Sequence, residues 1–405
     1  MGQYSGQNIC KKVKSSKNKK TVVMACTHPY WSVLQVGSQH LARQFVKNGW
    51  NVHYISSPVT PLHLPGLFNT GNEVAGRFRC AFKAPLIHAE STIHSYVPFS
   101  LIAPAGYPLL RDNMVTHHWH QTIIPTLSSL KNRITSDSID LLYIDNLSYH
   151  FLLDRLSYKK SIFRVMDLHE EFPGWKGKAK NLAAKIAGKA DLTVYSAQSL
   201  KDYVDSLKPR KSALVPNGVD FNAFNNDKKM AKQRSPYLQS IPDPVILYAG
   251  MIDSWLDISL IRSAAQSLPD VSFVFVGPVR HAAHIKDLPK NLYFTGPVPH
   301  SELPLLLYSV KAGMIPFDIQ NMIGLIQGIQ PLKLFEYMAA GLPVITAKWP
   351  ELQKINSPAW LYDDEQGFAD LVSKAVQNHY DPIPGIAYAK KHDWGLSFNL
   401  LLNSL

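Results

Sequence analysis

Apolar positions along the chain fall into two successive series of short runs, separated by stretches with helical spacing. Residues 21–25 are apolar without alternation, the pattern of a strand buried on both faces. After a loop at 28–36, residues 37–48 place Leu41, Phe45 and Val46 on one side, which predicts an amphipathic helix stopped by Gly49. Residues 51–55 read as the next strand, completing a strand–helix–strand unit of the parallel α/β type. The same signals predict strands at 141–144, 161–165, 192–196 and 213–216, with helices at 149–155 and 198–206. A polar stretch at 222–235, rich in Asn, Asp and Lys, reads as a linker. The second series predicts strands at 245–249, 271–276, 291–294, 312–315 and 343–346. Its helices are expected at 257–267, 302–308, 332–340 and 368–377, and residues 394–402 again have helical spacing. Residues 57–120 carry many Pro, His and aromatic residues and little clean periodicity, so loops and short elements are expected there.

At roughly 150 residues per domain, 405 residues suggest two or three domains. The pattern divides the chain into a tail at 1–20, a first α/β domain at 21–225, a second at 240–380 and a terminal helical segment at 385–405. Open parallel sheets bind ligands at the carboxyl ends of their strands, so two such domains predict a cleft with one ligand on each wall. The pattern alone names no reaction.

Composition narrows the setting. Apolar residues make up 46% of the chain and charged residues 18%, ample for two buried cores. Cys10, Cys26 and Cys80 fit no zinc spacing, and their odd number argues against a disulfide framework and for a reducing compartment. No apolar run reaches the ~20 residues of a membrane span. The most lipid-like stretch, 96–110, is broken by Pro98, Pro104 and Pro108, and the N-terminus lacks a signal-peptide core. A cytoplasmic protein is expected. The formal net charge is +12. One basic group is Lys11, Lys12, Lys14, Lys17, Lys19 and Lys20; another is Lys176, Lys178, Lys180, Lys185 and Lys189. Such groups bind anionic lipid or are simply solvated. With Trp175, Leu182, Ala183 and Ile186, the second group suits either an interfacial helix or an ordinary surface helix. No nucleic-acid motif occurs, so nucleic acid is not an expected partner. His117, His118 and His120 have no matching acid or thiol spacing, and no metal site is expected.

The sharpest chemistry lies in residues 330–344, QPLKLFEYMAAGLPV. Pro331 suits a first helical turn, and Gly341 with Pro343 ends the helix. Lys333 falls in that first turn, where free backbone N–H groups already favour an anion, and can add a charge-assisted bond to a diphosphate. Glu336, three residues on and on the same face, can accept two hydrogen bonds from a vicinal diol such as a ribose. The same two residues also fit a surface ion pair.

The whole string resembles the donor-binding segment of nucleotide-sugar glycosyltransferases with the GT-B fold. Asn217-Gly218-Val219-Asp220, Tyr248-Ala249-Gly250 and Gly296-Pro297-Val298-Pro299 extend the likeness over most of the chain. The helix opened by Trp394 resembles the one that crosses back to the first domain in that fold. Retaining members often carry a second acid where Gly328 stands, and cations where this chain reads Met251-Ile252-Asp253-Ser254-Trp255, so the likeness points away from them. A closer resemblance is to the membrane-associated inverting glucuronosyltransferases of xanthan assembly. Leu332-Lys333 matches their Met-Lys pair, Glu336 the position of their glutamine, Met251 their methionine, and Arg164-Val165-Met166-Asp167 the segment that bears their catalytic aspartate. An acid of their donor site falls at Pro297, so the donor sugar does not carry over.

The resemblance implies two Rossmann-like domains facing a cleft, the first binding the acceptor. It implies Asp167 as base, with Glu170 in reserve, and Leu332, Lys333, Glu336, Met251, Gly250 and Phe317 around the nucleotide-sugar. A single base suffices for inverting transfer, because a nucleoside diphosphate is already a good leaving group. Without the resemblance, Asp167 reads rather as a cap of the next turn. The implied co-substrate is a UDP-sugar, with no metal or other cofactor. The implied partners are a lipid-linked saccharide acceptor and an anionic membrane surface at the inner face of the cell membrane. Retaining transfer and nucleotide-sugar 2-epimerisation use the same fold and remain alternatives.

Overall fold

A computed structural model describes residues 19–64, 72–82, 86–88, 92–104, 118–124, 138–171, 175, 177–225, 233–280, 288–377 and 379–405. The lysine tail up to Lys17, with Lys176 and His117, lies outside these residues. The first body holds β1 (Thr21–Ala25), β2 (Asn51–Ile55), β3 (Leu86–Ile87), β4 (Ile93–Tyr96), β5 (Phe99–Ser100), β6 (Ile123–Ile124), β7 (Ile139–Ile144), β8 (Tyr158–Val165), β9 (Leu192–Tyr195) and β10 (Ser212–Leu214). Eight of these strands form one sheet in the order β10-β9-β8-β7-β1-β2-β4-β3, and β5 pairs with β6 in a separate ribbon. The large sheet is parallel except for β3 against β4. The second body holds β11 (Val245–Ala249), β12 (Ser272–Val276), β13 (Leu292–Gly296), β14 (Ala312–Ile315), β15 (Val344–Ala347) and β16 (Trp360–Tyr362). They form a wholly parallel sheet ordered β13-β12-β11-β14-β15-β16. In both sheets the run of the chain reverses direction beside the first strand, which opens a crevice at the carboxyl ends.

Why these segments form these elements is visible in their burial. All five residues of β1, β11 and β12 are buried, as parallel strands covered on both faces require. The helix Gly37–Lys47 buries Leu41 and Phe45, and the helix Leu332–Ala339 buries Leu334, Phe335, Tyr337 and Met338.

The structure differs from expectation in several places. Residues 57–120 hold short elements as expected, β3 to β5, but also a ten-residue helix, Asn72–Ala81. Strands of two to four residues are too short to show a period. The expected helix at 149–155 is a 3-10 turn, Leu147–Tyr149, followed by a short helix, Leu152–Arg155. Segment 385–405 holds two helices, Ile383–Lys390 and Trp394–Ser404. Asp393 separates them, accepting from Gly395 N at 2.8 Å and from Phe221 N at 3.1 Å. Ile383–Lys390 packs on Leu332–Ala339, whereas Trp394–Ser404 packs on Gly37–Lys47 in the first body. There Phe398 meets Phe45 edge-on at 4.9 Å. The crossing back is therefore made by the second helix alone. The helix Ala179–Lys189 buries Ala179, Leu182, Ala183, Ile186 and Ala187. Its apolar stripe is spent on the core, which is the surface-helix arrangement. Of the stretch 96–110, Tyr96, Val97 and Ala103 are buried, and residues 105–110 lie outside those described. Among the described residues, no helix is long and apolar enough to cross a membrane.

Contacts between the bodies are polar and buried. Glu351 of the second body is fully buried and accepts from Gln198 N at 3.1 Å and Ser199 N at 2.8 Å, capping a turn of the first. Asn217 donates twice to Gln330, from its backbone N to Oε1 and from Nδ2 to the backbone carbonyl, each at 2.7 Å. Replacing Glu351 with Ala removes a buried carboxylate and both of its part-buried N–H partners' hydrogen bonds, and is expected to cost ~1.5–3 kcal/mol, with Glu351→Gln losing less. Urea unfolding of the two variants checks this, and equal stability of Glu351→Ala and wild type would contradict it.

Candidate active site

Three strand ends and one helix start build the floor of the crevice. β11 runs into Gly250 with φ +150°, and β12 into Gly277 with φ +145°. A Cβ on Gly277 would overlap the carbonyl of Gly250, so the two strand ends pass at a distance only glycine permits. A Cβ on Gly250 would in turn lie 2.7 Å from Lys333 Nζ. Pro331, in extended conformation, precedes the first helical residue, and this places Lys333 in the first turn. Its ammonium rests 4.1 Å from the centroid of Tyr248 and 5.5 Å from that of Phe317. These ring faces hold the cation in place while leaving its N–H groups for an anion. One turn on, Glu336 is buried and its Oε1 accepts from His300 Nε2 at 2.8 Å.

The first body supplies the opposite wall from the loop after β1, with His28 and Val33 to Val36, and from the end of β8, with Asp167. Together the walls enclose a cavity of about 380 Å³, in the range of small-molecule sites. Asp167, Gly250, Met251, Phe317, Leu332, Lys333 and Glu336 all line it. Glu170 does not. It lies in the 3-10 turn His169–Glu171, and its charge acts on the Tyr203 phenol instead. Asp167 is half-buried and accepts no capping bond from that turn among the described hydrogen bonds. Burial pushes its pKa up to about 6, against the pull of the Arg164 guanidinium. Arg164 is itself buried, donating to Asn217 Oδ1 at 2.7 Å and lying 5.8 Å from the ring of Trp394.

Several lining residues were not visible in the sequence. No cation follows β11, but Arg280, after β12, lines the same cavity. Its N–H bonds Ile252 O at 3.0 Å, and its guanidinium lies 3.7 Å from Asp253. A motif search along one loop misses a residue delivered by the neighbouring strand. His28 also lines the cavity, its pKa lowered to about 4 by burial and by Arg280 and Arg77, so it is neutral at pH 7. Gly328 packs on the first body: a Cβ there would lie 2.6 Å from Leu200 Cδ2, so a side chain at this position would require Leu200 to shift.

His40, His300 and Glu336 bring donor atoms within 4.8 Å of one another, as a metal site would. Arg43 donates to His40 Nδ1 at 2.9 Å, which fixes the proton on Nε2 and removes the lone pair a metal needs. The set fits a hydrogen-bonding cluster better than a metal centre.

Residues 243–378, which form this wall of the crevice, match the family of Glycosyl transferases group 1. The chain is 32% identical over 196 residues to a Bacillus subtilis protein assigned as a teichuronic acid biosynthesis glycosyltransferase, covering 46% of this chain and 48% of that one. It is 24% identical over 165 residues to the sulfoquinovosyl transferase of Arabidopsis thaliana, covering 39% and 31%. The chain thus spans about half, and about a third, of these two relatives. Among solved structures, Anabaena HepE in complex with UDP and glucose superposes with a TM-score of 0.63 at 12% identity, over 96% of this chain and 100% of that one. Sucrose-phosphate synthase from Thermosynechococcus elongatus gives 0.63 at 14% identity, over 95% of each. The architecture is that of GT-B glycosyltransferases.

A raised carboxylate pKa has a defined sign. The folded state holds the proton of Asp167 more tightly than the unfolded state does, so stability falls as pH rises from about 4 to about 6. Asp167→Asn is expected to stabilise the protein by ~1–3 kcal/mol at pH 7, with the gain vanishing below pH ~4. Melting curves across this range check it, and a pH-independent difference would contradict the burial of the charge.

Proposed function

We propose that this glycosyl transferase domain and the body facing it move a sugar from a nucleoside-diphosphate sugar, UDP-linked, to a lipid-linked saccharide acceptor. The product belongs to cell-surface polysaccharide assembly. One observation carries the proposal: Asp167 from one body and Gly250, Lys333 and Glu336 from the other line a single cavity. The UDP and glucose held by Anabaena HepE support the donor class, and the teichuronic acid assignment of the Bacillus subtilis relative supports the pathway class.

In this scheme Glu336 accepts from the ribose hydroxyls and Lys333, in the first helical turn, binds the diphosphate. Leu332, Met251 and Phe317 pack around the nucleotide-sugar, and Gly250 lets the backbone approach the phosphates. The acceptor oxygen attacks the anomeric carbon and Asp167 takes its proton. The bond from that carbon to the phosphate oxygen breaks on the opposite face, and UDP leaves with the electron pair. Lys333 and Arg280 offset the charge that grows on the leaving group, so the scheme needs no metal. Transfer inverts the anomeric centre. The glycine at 328 supports this, because it stands where retaining relatives often carry a second acid. Exposed Lys180 and Lys185 on the helix Ala179–Lys189, together with the basic tail, hold the protein to the anionic inner face of the cell membrane.

Asp167→Asn is expected to keep donor binding and lose turnover by at least ~1,000-fold, an effect at the scale of general-base removal. In the wild type, log kcat/KM should fall below pH ~6 as the base is protonated. NMR of the product should show the inverted anomer; a retained anomer, or Asp167→Asn turning over at the wild-type rate, would reject Asp167 as base. Binding to anionic vesicles should weaken with salt and exceed binding to neutral ones, and equal binding to both would reject the membrane assignment.

A further inference from the structure

The carboxylate expected to read the ribose is already in a hydrogen bond. Glu336 Oε1 accepts from His300 Nε2 at 2.8 Å, and the Glu336 side chain is only 9% exposed. An ionised carboxylate only accepts, so Nε2 carries the hydrogen and the imidazole is the donor. His300 is held on two sides. Phe224 meets its ring edge-on at 5.5 Å and His40 does so at 5.4 Å.

His40 belongs to the other body, on the helix Gly37–Lys47, and is itself fixed. It stacks on Trp394 with centroids 5.0 Å apart and planes 11° apart, and its Nδ1 accepts from Arg43. Its Nε2 is buried without a hydrogen-bond partner among the described residues. A row of rings, Trp394, His40 and His300, therefore ends at the Glu336 carboxylate and joins both bodies to it. A buried, isolated carboxylate can turn about its last torsion and present either oxygen. With Oε1 engaged, Oε2 is the acceptor left for a diol.

We infer that His300 is a positioning residue: by donating to Oε1 it fixes the Glu336 carboxylate so that Oε2 reads the ribose, with His40 bracing it from the facing body. This rests on the nucleotide-sugar reading above. His300 then acts through Glu336 and governs how sharply the site tells ribose from deoxyribose. A purely structural pair would affect folding and leave that discrimination alone.

Calorimetric titration of UDP, GDP and their 2′-deoxy counterparts tests this on wild type, Glu336→Ala, His300→Phe and His300→Gln. Phenylalanine keeps the packing against Phe224 and His40 but removes the donor, whereas the glutamine amide can still donate. The wild type is expected to prefer the ribonucleotide about 10-fold or more, the gap a site built to bind a hydroxyl can exceed. His300→Phe should weaken that ribonucleotide about 10-fold and lose most of the preference. His300→Gln should recover most of the preference. A wild type that prefers the ribonucleotide, with His300→Phe keeping the full preference, would overturn the inference alone. A wild type that binds no nucleoside diphosphate would overturn the function proposed above and this inference with it.

Discussion

The chain passes between its two bodies at Val219 and again at Asp393, and the two passes are hydrogen-bonded to each other. Val219 N donates to His392 O at 2.9 Å, and Trp394 N donates to Val219 O at 3.0 Å. Everything else in the site depends on this double crossing, because neither wall of the crevice is complete alone. Asp167 rides on the first sheet, and Lys333 and Glu336 on the second. Gln330, just before the Lys333 helix, is tied to Asn217, just before the first pass. Asn217 also accepts from Arg164, three residues before Asp167. Asp167 and Lys333 are thereby linked through Arg164, Asn217 and Gln330 in a path of short, buried hydrogen bonds. Such a path is costly to break, since each stranded group loses both its partner and its water.

Charge in the crevice is arranged by wall. The first body offers a carboxylate whose ionisation is opposed by burial, and the second offers Lys333 held against two aromatic faces. An ionised Asp167 is a stability cost that the fold tolerates. The strand-end glycines serve the same economy of space. Gly250 and Gly277 let two backbones and the Lys333 ammonium crowd into the floor, where any Cβ would displace one of them.

Much of the fold was legible because its strands are buried on both faces. β1, β2, β11 and β14 have the bounds their apolar runs predict. What escaped was short or set by tertiary contact. β3 to β6 have two to four residues, too few for a period, and the split of 385–405 depends on Asp393 bonding Phe221 far away in sequence. The site divides in the same way. The Lys333 helix is local, with proline, spacing and terminator all in one string. Arg280 reaches the cavity because β12 lies beside β11, and His300 reaches Glu336 from 36 residues away. Neither relation has a sequence spacing that could announce it. The reserve candidate Glu170 lies outside the cavity lining for the converse reason: adjacency in sequence to Asp167 does not place it in the crevice once the chain turns at His169–Glu171.

The central claim is that the crevice is a nucleotide-sugar site whose anion contact is Lys333. The most direct test is a thermal-shift screen of UDP, GDP and dTDP with wild type and Lys333→Ala, since a ligand that binds only the native state raises its melting temperature by mass action. The account predicts that one nucleotide, UDP, stabilises the wild type and that the shift is lost in Lys333→Ala. No shift with any of them at millimolar concentration, or an equal shift in Lys333→Ala, would contradict it.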